Sequence, residues 1–163
     1  MLKLRTTVFA LVLSVLFVGA APAWAGPGDY SLGVEGGPSF NLKNWHNQVR
    51  VGGEFNYDLG YRMGFGLMAL FGASKEFRFQ MMPQFRYDVV YLGPAAIYGL
   101  FGAGYGVYDK QNALDLRLGS GIVLPLGDRY ELNTGVSLFI SPVGPPRTVV
   151  TLDWLTAFSL RFH

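Results

Sequence analysis

The clearest pattern in the chain lies at residues 76–89, which read EFRFQMMPQFRYDV. Apolar side chains from Phe77 to Val89 alternate there with charged or amide side chains such as Arg78 and Arg86. A period of two residues is typical of a β-strand with one apolar and one polar face. Pro83 lies within the run, and because proline cannot donate a ladder hydrogen bond it predicts a bulge or a break.

The same alternation occurs in eight runs between residues 30 and 162, whereas helical spacing is absent after residue 25. Turn-forming pairs such as Gly93-Pro94 and Gly127-Asp128 separate the runs. The sequence therefore predicts an all-β fold of eight antiparallel strands connected in an up-and-down order.

The first 25 residues differ from the rest of the chain. Lys3 and Arg5 precede an uncharged, mostly apolar run of 14 residues at 8–21, and a small-residue site follows at 23–25. This is the layout of a cleaved secretory signal peptide. The apolar run is shorter than the about 20 residues that a membrane-spanning helix needs. We therefore predict a signal peptide at 1–25 and a single domain at 26–163.

The composition excludes several classes of protein. With 50% hydrophobic and 15% charged residues, the chain is not intrinsically disordered. The absence of cysteine excludes disulfides and thiolate metal sites, and two histidines are too few for an all-histidine zinc centre. Residues 26–163 carry eleven basic and eleven acidic residues, so a nucleic-acid partner has no electrostatic support. The sequence thus predicts no metal, no cofactor and no nucleic-acid partner.

The side on which the charges fall predicts which face of the strands is inside. Every charged residue within a run lies on the polar face, together with most of the glycines. The interior of an eight-stranded barrel is just wide enough for side chains, so small and paired ionic residues suit it better than many aromatic rings. An apolar exterior would aggregate in water but is required in a bilayer. We therefore predict a transmembrane barrel with a luminal charge network made of Glu35, Arg50, Glu54, Glu76, Arg78, Arg86, Asp115, Arg117, Glu131, Asp153 and Arg161.

Aromatic residues on the apolar face gather at one rim of the predicted barrel. Such a rim is typical of an aromatic belt at a membrane–water interface. The predicted belt consists of Tyr30, Tyr57, Tyr61, Tyr87, Tyr130 and Phe162.

A smaller set of apolar residues has the parity of the luminal face. These side chains either close the lumen by packing or line a pocket for a hydrophobic molecule. They are Met68, Leu70, Leu100, Tyr108, Phe139 and Leu155.

The predicted leader, the eight runs, the short turns and a last run ending in Leu160 and Phe162 resemble the small bacterial outer-membrane β-barrels. The similarity is to the outer-membrane protein A/X-like barrels and, more loosely, to outer-membrane protein W, which is thought to bind hydrophobic molecules. It implies a bacterial outer-membrane location, contact with outer-membrane lipid and lipopolysaccharide, and recognition of the last strand by the barrel insertion machinery. His163 follows the aromatic residue on which that strand usually ends, and this is a departure from the family.

Catalytic signals are weak. The spaced glycines Gly102, Gly104 and Gly106 lack a following helix, and neither His46 nor His163 has a serine and an acid nearby in sequence. We therefore expect no catalytic residues and a structural or envelope-interaction role with a side-chain-filled lumen. The alternatives are a narrow channel or binding barrel for small hydrophobic molecules, and a secreted soluble β-barrel binding protein.

Overall fold

The computed structural model describes residues 27–43, 46–74, 77–143 and 147–163. The predicted signal peptide at 1–25 and Glu76 of the predicted charge network lie outside the described residues. No helix in the described ranges is long and apolar enough to cross a membrane.

The described residues form eight strands, each paired antiparallel with the next, and β8 pairs with β1 to close a barrel. This architecture confirms the predicted all-β, up-and-down fold. The strands are β1 (Tyr30–Lys43), β2 (Gln48–Gly60), β3 (Met63–Ala73), β4 (Phe77–Leu92), β5 (Ala95–Tyr108), β6 (Gln111–Leu126), β7 (Tyr130–Pro142) and β8 (Thr148–Phe162).

The strand register fixes the tilt of the barrel. Paired residues followed around the sheet from Tyr30 return to β1 at Phe40, which is ten residues further along. With standard strand spacing and rise, this stagger over eight strands corresponds to a tilt of about 40°. The lumen is consequently narrow, and side chains from all strands meet in it.

The two ends of the barrel differ in which segments they carry. Asp29 and His163 lie at one end, called here the terminal end, together with the turns that follow β2, β4 and β6. The connections after β1, β3, β5 and β7 lie at the opposite end, called here the far end. At the far end, Asp109 and Lys110 form a two-residue turn with φ of 46° and 81°. Two positive φ values match the twist of a tight hairpin, and Tyr61 and Arg62 form a turn of the same kind at the terminal end, so both ends of the barrel carry a two-residue turn.

The prediction of a bulge or a break at Pro83 is wrong, because the strand neither ends nor shifts register there. β4 continues through Pro83, and the register with β5 is unchanged from Met81 to Gln84. Only the pairing of Met82 and Pro83 with β5 is missing, because proline supplies no N–H there. The register shift of β4 lies instead between Asp88 and Val90.

Close strand packing requires a glycine at Gly52, whose missing side chain would point into the lumen. A Cβ on Gly52 would overlap the backbone of Ala69 and lie 2.9 Å from the Cα atom of Leu70. On the outer face, a Cβ on Gly53 would come no closer than 3.4 Å to any neighbour. A side chain is therefore excluded at Gly52 but can be accommodated at the adjacent Gly53.

We predict that Gly52→Ala lowers the free energy of unfolding by about 1–3 kcal/mol, because backbone atoms cannot move aside as a flexible side chain can. Urea unfolding of the refolded protein in detergent, followed by tryptophan fluorescence, measures the change. Gly53→Ala is the matched control and should alter the unfolding midpoint little. Equal effects of the two substitutions would contradict the inward orientation of Gly52.

Candidate functional site: the barrel lumen

Polar and apolar side chains are sorted to opposite faces of the sheet. Arg50, Arg78 and Asp153 are fully buried in the lumen, whereas Phe101 and Phe158 are each 52% exposed on the outer surface. This is the orientation predicted from the alternation, with ionic groups inside and a continuous apolar surface outside.

Five side chains form a connected group near the far end, called here the far network: Arg50, Gln80, Tyr108, Asp115 and Asp153. Arg50 forms an ion pair with Asp153 and donates a hydrogen bond to Oε1 of Gln80. Gln80 donates through Nε2 to Asp115 and, at 2.8 Å, to the hydroxyl oxygen of Tyr108. That hydroxyl donates in turn to Oδ1 of Asp115 at 2.8 Å. Buried charge is tolerated only with such partners, so the far network is held in one arrangement.

A second group, called here the terminal network, lies near the terminal end. Arg161 donates to Glu131 at 2.8 Å, and the hydroxyl of Ser31 donates to the same carboxylate at 3.0 Å. Arg86 pairs with Asp88 at 3.3 Å. The contacts of Glu131 join β1, β7 and β8, whereas the pair of Arg86 with Asp88 lies within β4.

Arg117 lies between the two networks. Its guanidinium donates to Gln84 at 2.7 Å and to Ser137 at 3.0 Å, and it lies 5.3 Å from the centre of the Phe139 ring. A polar cavity beside it, lined also by Glu35 and Glu54, has about 20 Å³ of room for the centre of a water molecule. That volume suits about one water.

The structure places the predicted charged residues that it describes in the lumen. It divides nine of them between the far network, the terminal network and the central cavity, whereas Arg78 lies beside the far network and donates to Thr151; the described contacts do not join them in one continuous chain. The residues so placed are Glu35, Arg50, Glu54, Arg78, Arg86, Asp115, Arg117, Glu131, Asp153 and Arg161.

The analysis of charges missed the uncharged residues that complete these networks. Gln80 bridges Arg50 and Asp115, Ser39 donates to Asp153 at 2.6 Å, and Thr151 accepts from Arg78 at 3.1 Å. Each has the same parity as its charged neighbours on the strand, so alternation was the signal that could have identified them.

The six predicted apolar luminal residues do not come together as one pocket. Tyr108 belongs to a cluster near the far end with Val143 and Val149, and its hydroxyl belongs to the far network. Leu100 packs against a separate cluster that contains Tyr98. The remaining four pack in the middle of the lumen with a methionine that the sequence analysis missed, and this cluster is Met68, Leu70, Met82, Phe139 and Leu155.

The predicted aromatic belt residues lie at the terminal end. Tyr30 stacks on Phe162 with ring centres 4.9 Å apart, and Tyr130 stacks on Phe158 at 5.5 Å. Tyr61 lies in the turn between β2 and β3 and is 90% exposed. The exposed rings on the strands of this rim are Tyr30, Tyr57, Tyr87 and Tyr130, with Phe162 beside them.

His163 joins three segments at the terminal end. One ring nitrogen lies 3.0 Å from the Asp29 carboxylate, and the other lies 3.1 Å from the Asp128 carbonyl oxygen. The hydrogen bond with Asp29 raises the pKa of His163, and the Asp128 carbonyl adds to the rise, since both acceptors favour the protonated ring. The residue that follows the aromatic end of β8 therefore holds the segment before β1 against the turn after β6.

The similarity of this chain to known proteins lies in its fold and not in its sequence. No protein-family model matches the sequence, and no curated protein matches it either. Among the described residues, no three His, Asp or Glu side chains are grouped as ligands for a metal ion.

Solved structures match the chain over nearly their whole length. Neisserial surface protein A, from Neisseria, superposes with a TM-score of 0.68 at 10% identity, covering 83% of this chain and 99% of that one. Ail, the attachment invasion locus protein of Yersinia pestis, gives 0.60 at 13% identity, covering 84% and 100%. OprG, an outer membrane protein from Pseudomonas aeruginosa, gives 0.60 at 13% identity, covering 88% and 100%. The chain therefore has the fold of the small eight-stranded outer-membrane β-barrels.

We predict that Asp153→Ala lowers the free energy of unfolding by about 3–5 kcal/mol, because it leaves the Arg50 guanidinium buried without a counter-charge. Urea titration of the refolded protein measures the loss. The double variant Arg50→Met with Asp153→Leu removes both charges and should recover most of the stability. A double variant as unstable as Asp153→Ala would show that the ion pair itself, and not the orphaned charge, dominates.

We predict that the contact between His163 and Asp29 stabilises the barrel at low pH. Because folding raises the pKa of His163, the stabilisation is fully present below the ordinary histidine pKa of about 6.5 and disappears as the pH rises through the folded value. The unfolding midpoints of the wild type and Asp29→Asn, measured at pH 5.5 and 8.5, should differ more at the lower pH. A difference that does not change with pH would contradict this role of His163.

Proposed function

We propose that the protein is an integral barrel of the bacterial outer membrane with a structural or envelope-interaction role and a lumen closed by side chains. The observation that carries the proposal is the inverted distribution of polarity. Aromatic and aliphatic side chains cover the outside of the barrel, and arginines and carboxylates fill the inside. In water such a surface aggregates, whereas in a bilayer it is the lipid-facing surface.

The dimensions of the strands support a membrane-spanning barrel. The strands contain 11 to 16 residues, and a tilted strand needs about 9–11 residues to cross the hydrocarbon core. The exposed tyrosines at the terminal end are suited to the interface, since their rings are apolar and their hydroxyls polar. Contact with outer-membrane lipid and lipopolysaccharide, export directed by residues 1–25, and recognition of β8 by the insertion machinery belong to this proposal.

Packing in the lumen supports a closed barrel over a channel. Met68, Leu70 and Phe139 are fully buried in the middle, and Arg50 and Tyr108 are buried beyond them towards the far end. A binding barrel for hydrophobic molecules needs an open apolar pocket, and the side chains that would line one pack against each other. Arg50, Arg86 and Arg161 are each engaged by a luminal carboxylate, and side chains held in such pairs favour a non-enzymatic role.

We predict that Leu118→Arg destabilises the protein in lipid vesicles by about 2–4 kcal/mol and that Tyr130→Arg costs about 0–1 kcal/mol. Leu118 is exposed on the outer face near the middle of β6, whereas Tyr130 lies at the rim. Urea unfolding from vesicles, followed by tryptophan fluorescence, compares the two variants. A secreted soluble barrel would instead tolerate Leu118→Arg and become more soluble, and that outcome would reject a membrane location.

We also predict that the refolded protein produces no stepwise conductance in planar bilayers, because side chains occupy the lumen at both networks. Heat-modifiable migration in gels serves as the control for correct folding of the same sample. Regular conductance steps from folded protein would reject the closed lumen while leaving the membrane location intact.

A further inference from the structure

Three luminal side chains surround Gly72 of β3 just below the far end of the barrel. Gly72 pairs with Arg50 of β2 on one side and with Arg78 of β4 on the other. Gln48 of β2 lies over the same glycine, because a Cβ on Gly72 would be 2.8 Å from each of its amide atoms. Gln48 is 7% exposed, and both arginines are fully buried. Because Gly72 has no side chain, the Gln48 amide lies where a Cβ would be, and the guanidinium groups of Arg50 and Arg78 are neighbours that both contact the Phe139 ring.

These side chains have an excess of unsatisfied hydrogen-bond donors. Four donor atoms are buried and have no acceptor among the described residues, namely Nε of Arg50, Nε and Nη2 of Arg78, and Nε2 of Gln48. The only unsatisfied acceptor that these three residues contribute is Oε1 of Gln48. Buried polar groups in folded proteins nearly always have partners, because an unsatisfied group has lost its hydration without a replacement. Since guanidinium groups only donate, the partner that would satisfy them must be an acceptor.

The charge of Arg78 is also unmatched by direct contact. Arg50 has Asp153 as its ion-pair partner, and Asp115 is held by Gln80 and Tyr108. Arg78 donates to a neutral hydroxyl, that of Thr151, and its guanidinium lies 4.9 Å from the centre of the Tyr108 ring. Across the described ranges, no carboxylate lies within ion-pair distance of Arg78. An anion would supply both the missing acceptor and the missing counter-charge.

The far end of the barrel is also positively charged in sequence. Its described connections and strand ends carry three basic residues and one acidic one, which are Lys43, Lys110 and Arg147 against Asp109. A cleft with an excess of one sign raises the local concentration of the opposite ion. Below the rim, Asp115 and Asp153 set a limit on the charge that can be accommodated, because they repel a multiply charged anion more strongly than a singly charged one.

We propose that Gln48, Arg50 and Arg78 form a binding site for a small monovalent anion of the halide class, between Gly72 and the far end of the barrel. Arg78 supplies the main charge and two N–H donors. Nε of Arg50 and Nε2 of Gln48 complete the set of donors. The ion neutralises a buried arginine that the protein itself leaves unpaired, so its binding is linked to the stability of the folded barrel.

The first test measures stability against bromide at constant ionic strength. Refolded full-length protein in a non-ionic detergent is titrated with sodium bromide, with sodium gluconate as the balancing salt. The urea midpoint of the wild type should rise with bromide, and at 100 times the dissociation constant the folding equilibrium should shift about 100-fold. Arg78→Gln should be insensitive to bromide, whereas Arg129→Gln, which removes the same charge from an exposed position at the terminal end, should respond like the wild type. A flat wild-type titration, or an equal response in Arg78→Gln, would overturn the proposal.

The second test uses the wild type alone and so does not depend on a variant folding. Crystals grown in gluconate and soaked in bromide should show an anomalous peak within hydrogen-bond distance of Arg78 and Gln48. A peak that appears only at molar bromide, without any stabilisation in solution, would indicate an adventitious ion only and would reject the site.

If lipopolysaccharide stabilises the wild type but not Arg78→Gln in the absence of bromide, the acceptor is a lipid phosphate and the assignment to a free monovalent anion is wrong.

Discussion

Pairing of β1 with β8 is the constraint on which the rest of the structure depends. A strand in hydrocarbon has no water to satisfy its N–H and C=O groups, so a sheet can exist there only without free edges. Antiparallel pairing from Tyr30 with Phe162 onwards provides that closure. Once the sheet is closed over eight strands with a stagger of ten residues, the diameter of the lumen is set. The side chains inside the lumen must then fit its volume and balance one another's charges.

A narrow polar lumen imposes two requirements that the chain meets in different places. Volume is accommodated by glycines such as Gly52, where even a methyl group would meet the neighbouring backbone. Charge is accommodated by ion pairs such as Arg50 with Asp153, completed by amide and hydroxyl groups. At Arg78 the second requirement is met only in part, since Nε and Nη2 have no hydrogen-bond partner among the described residues, and the proposed site for an external ion lies there for that reason.

For the candidate site, the sequence predicts which residues face the lumen but not which of them pair with one another. Parity alone assigned Arg50, Asp115 and Asp153 to the lumen, because a strand presents alternate residues to opposite faces. Their pairing could not be read from parity, since it depends on which strands lie opposite across the lumen. Gln80 shows this most clearly, because it bonds both to Arg50 and to Asp115. Asp115 lies 35 residues after Gln80 in the sequence. Tyr108 was placed with apolar residues by its ring, whereas its hydroxyl made it part of the far network.

The sequence by itself determined the class of fold and the side of the sheet that faces inward, because both follow from a period of two maintained over eight runs with charges on one face. It also located the turns at Gly93 and Gly127, since glycine acts through local backbone preferences, but not the turn at Asp109 and Lys110. Only the tertiary structure decided the stagger of the strands, the continuity of β4 through Pro83, and the division of luminal residues into separate networks and clusters. These properties depend on distances between residues far apart in the chain, and those distances are fixed only when β8 meets β1 and the barrel closes.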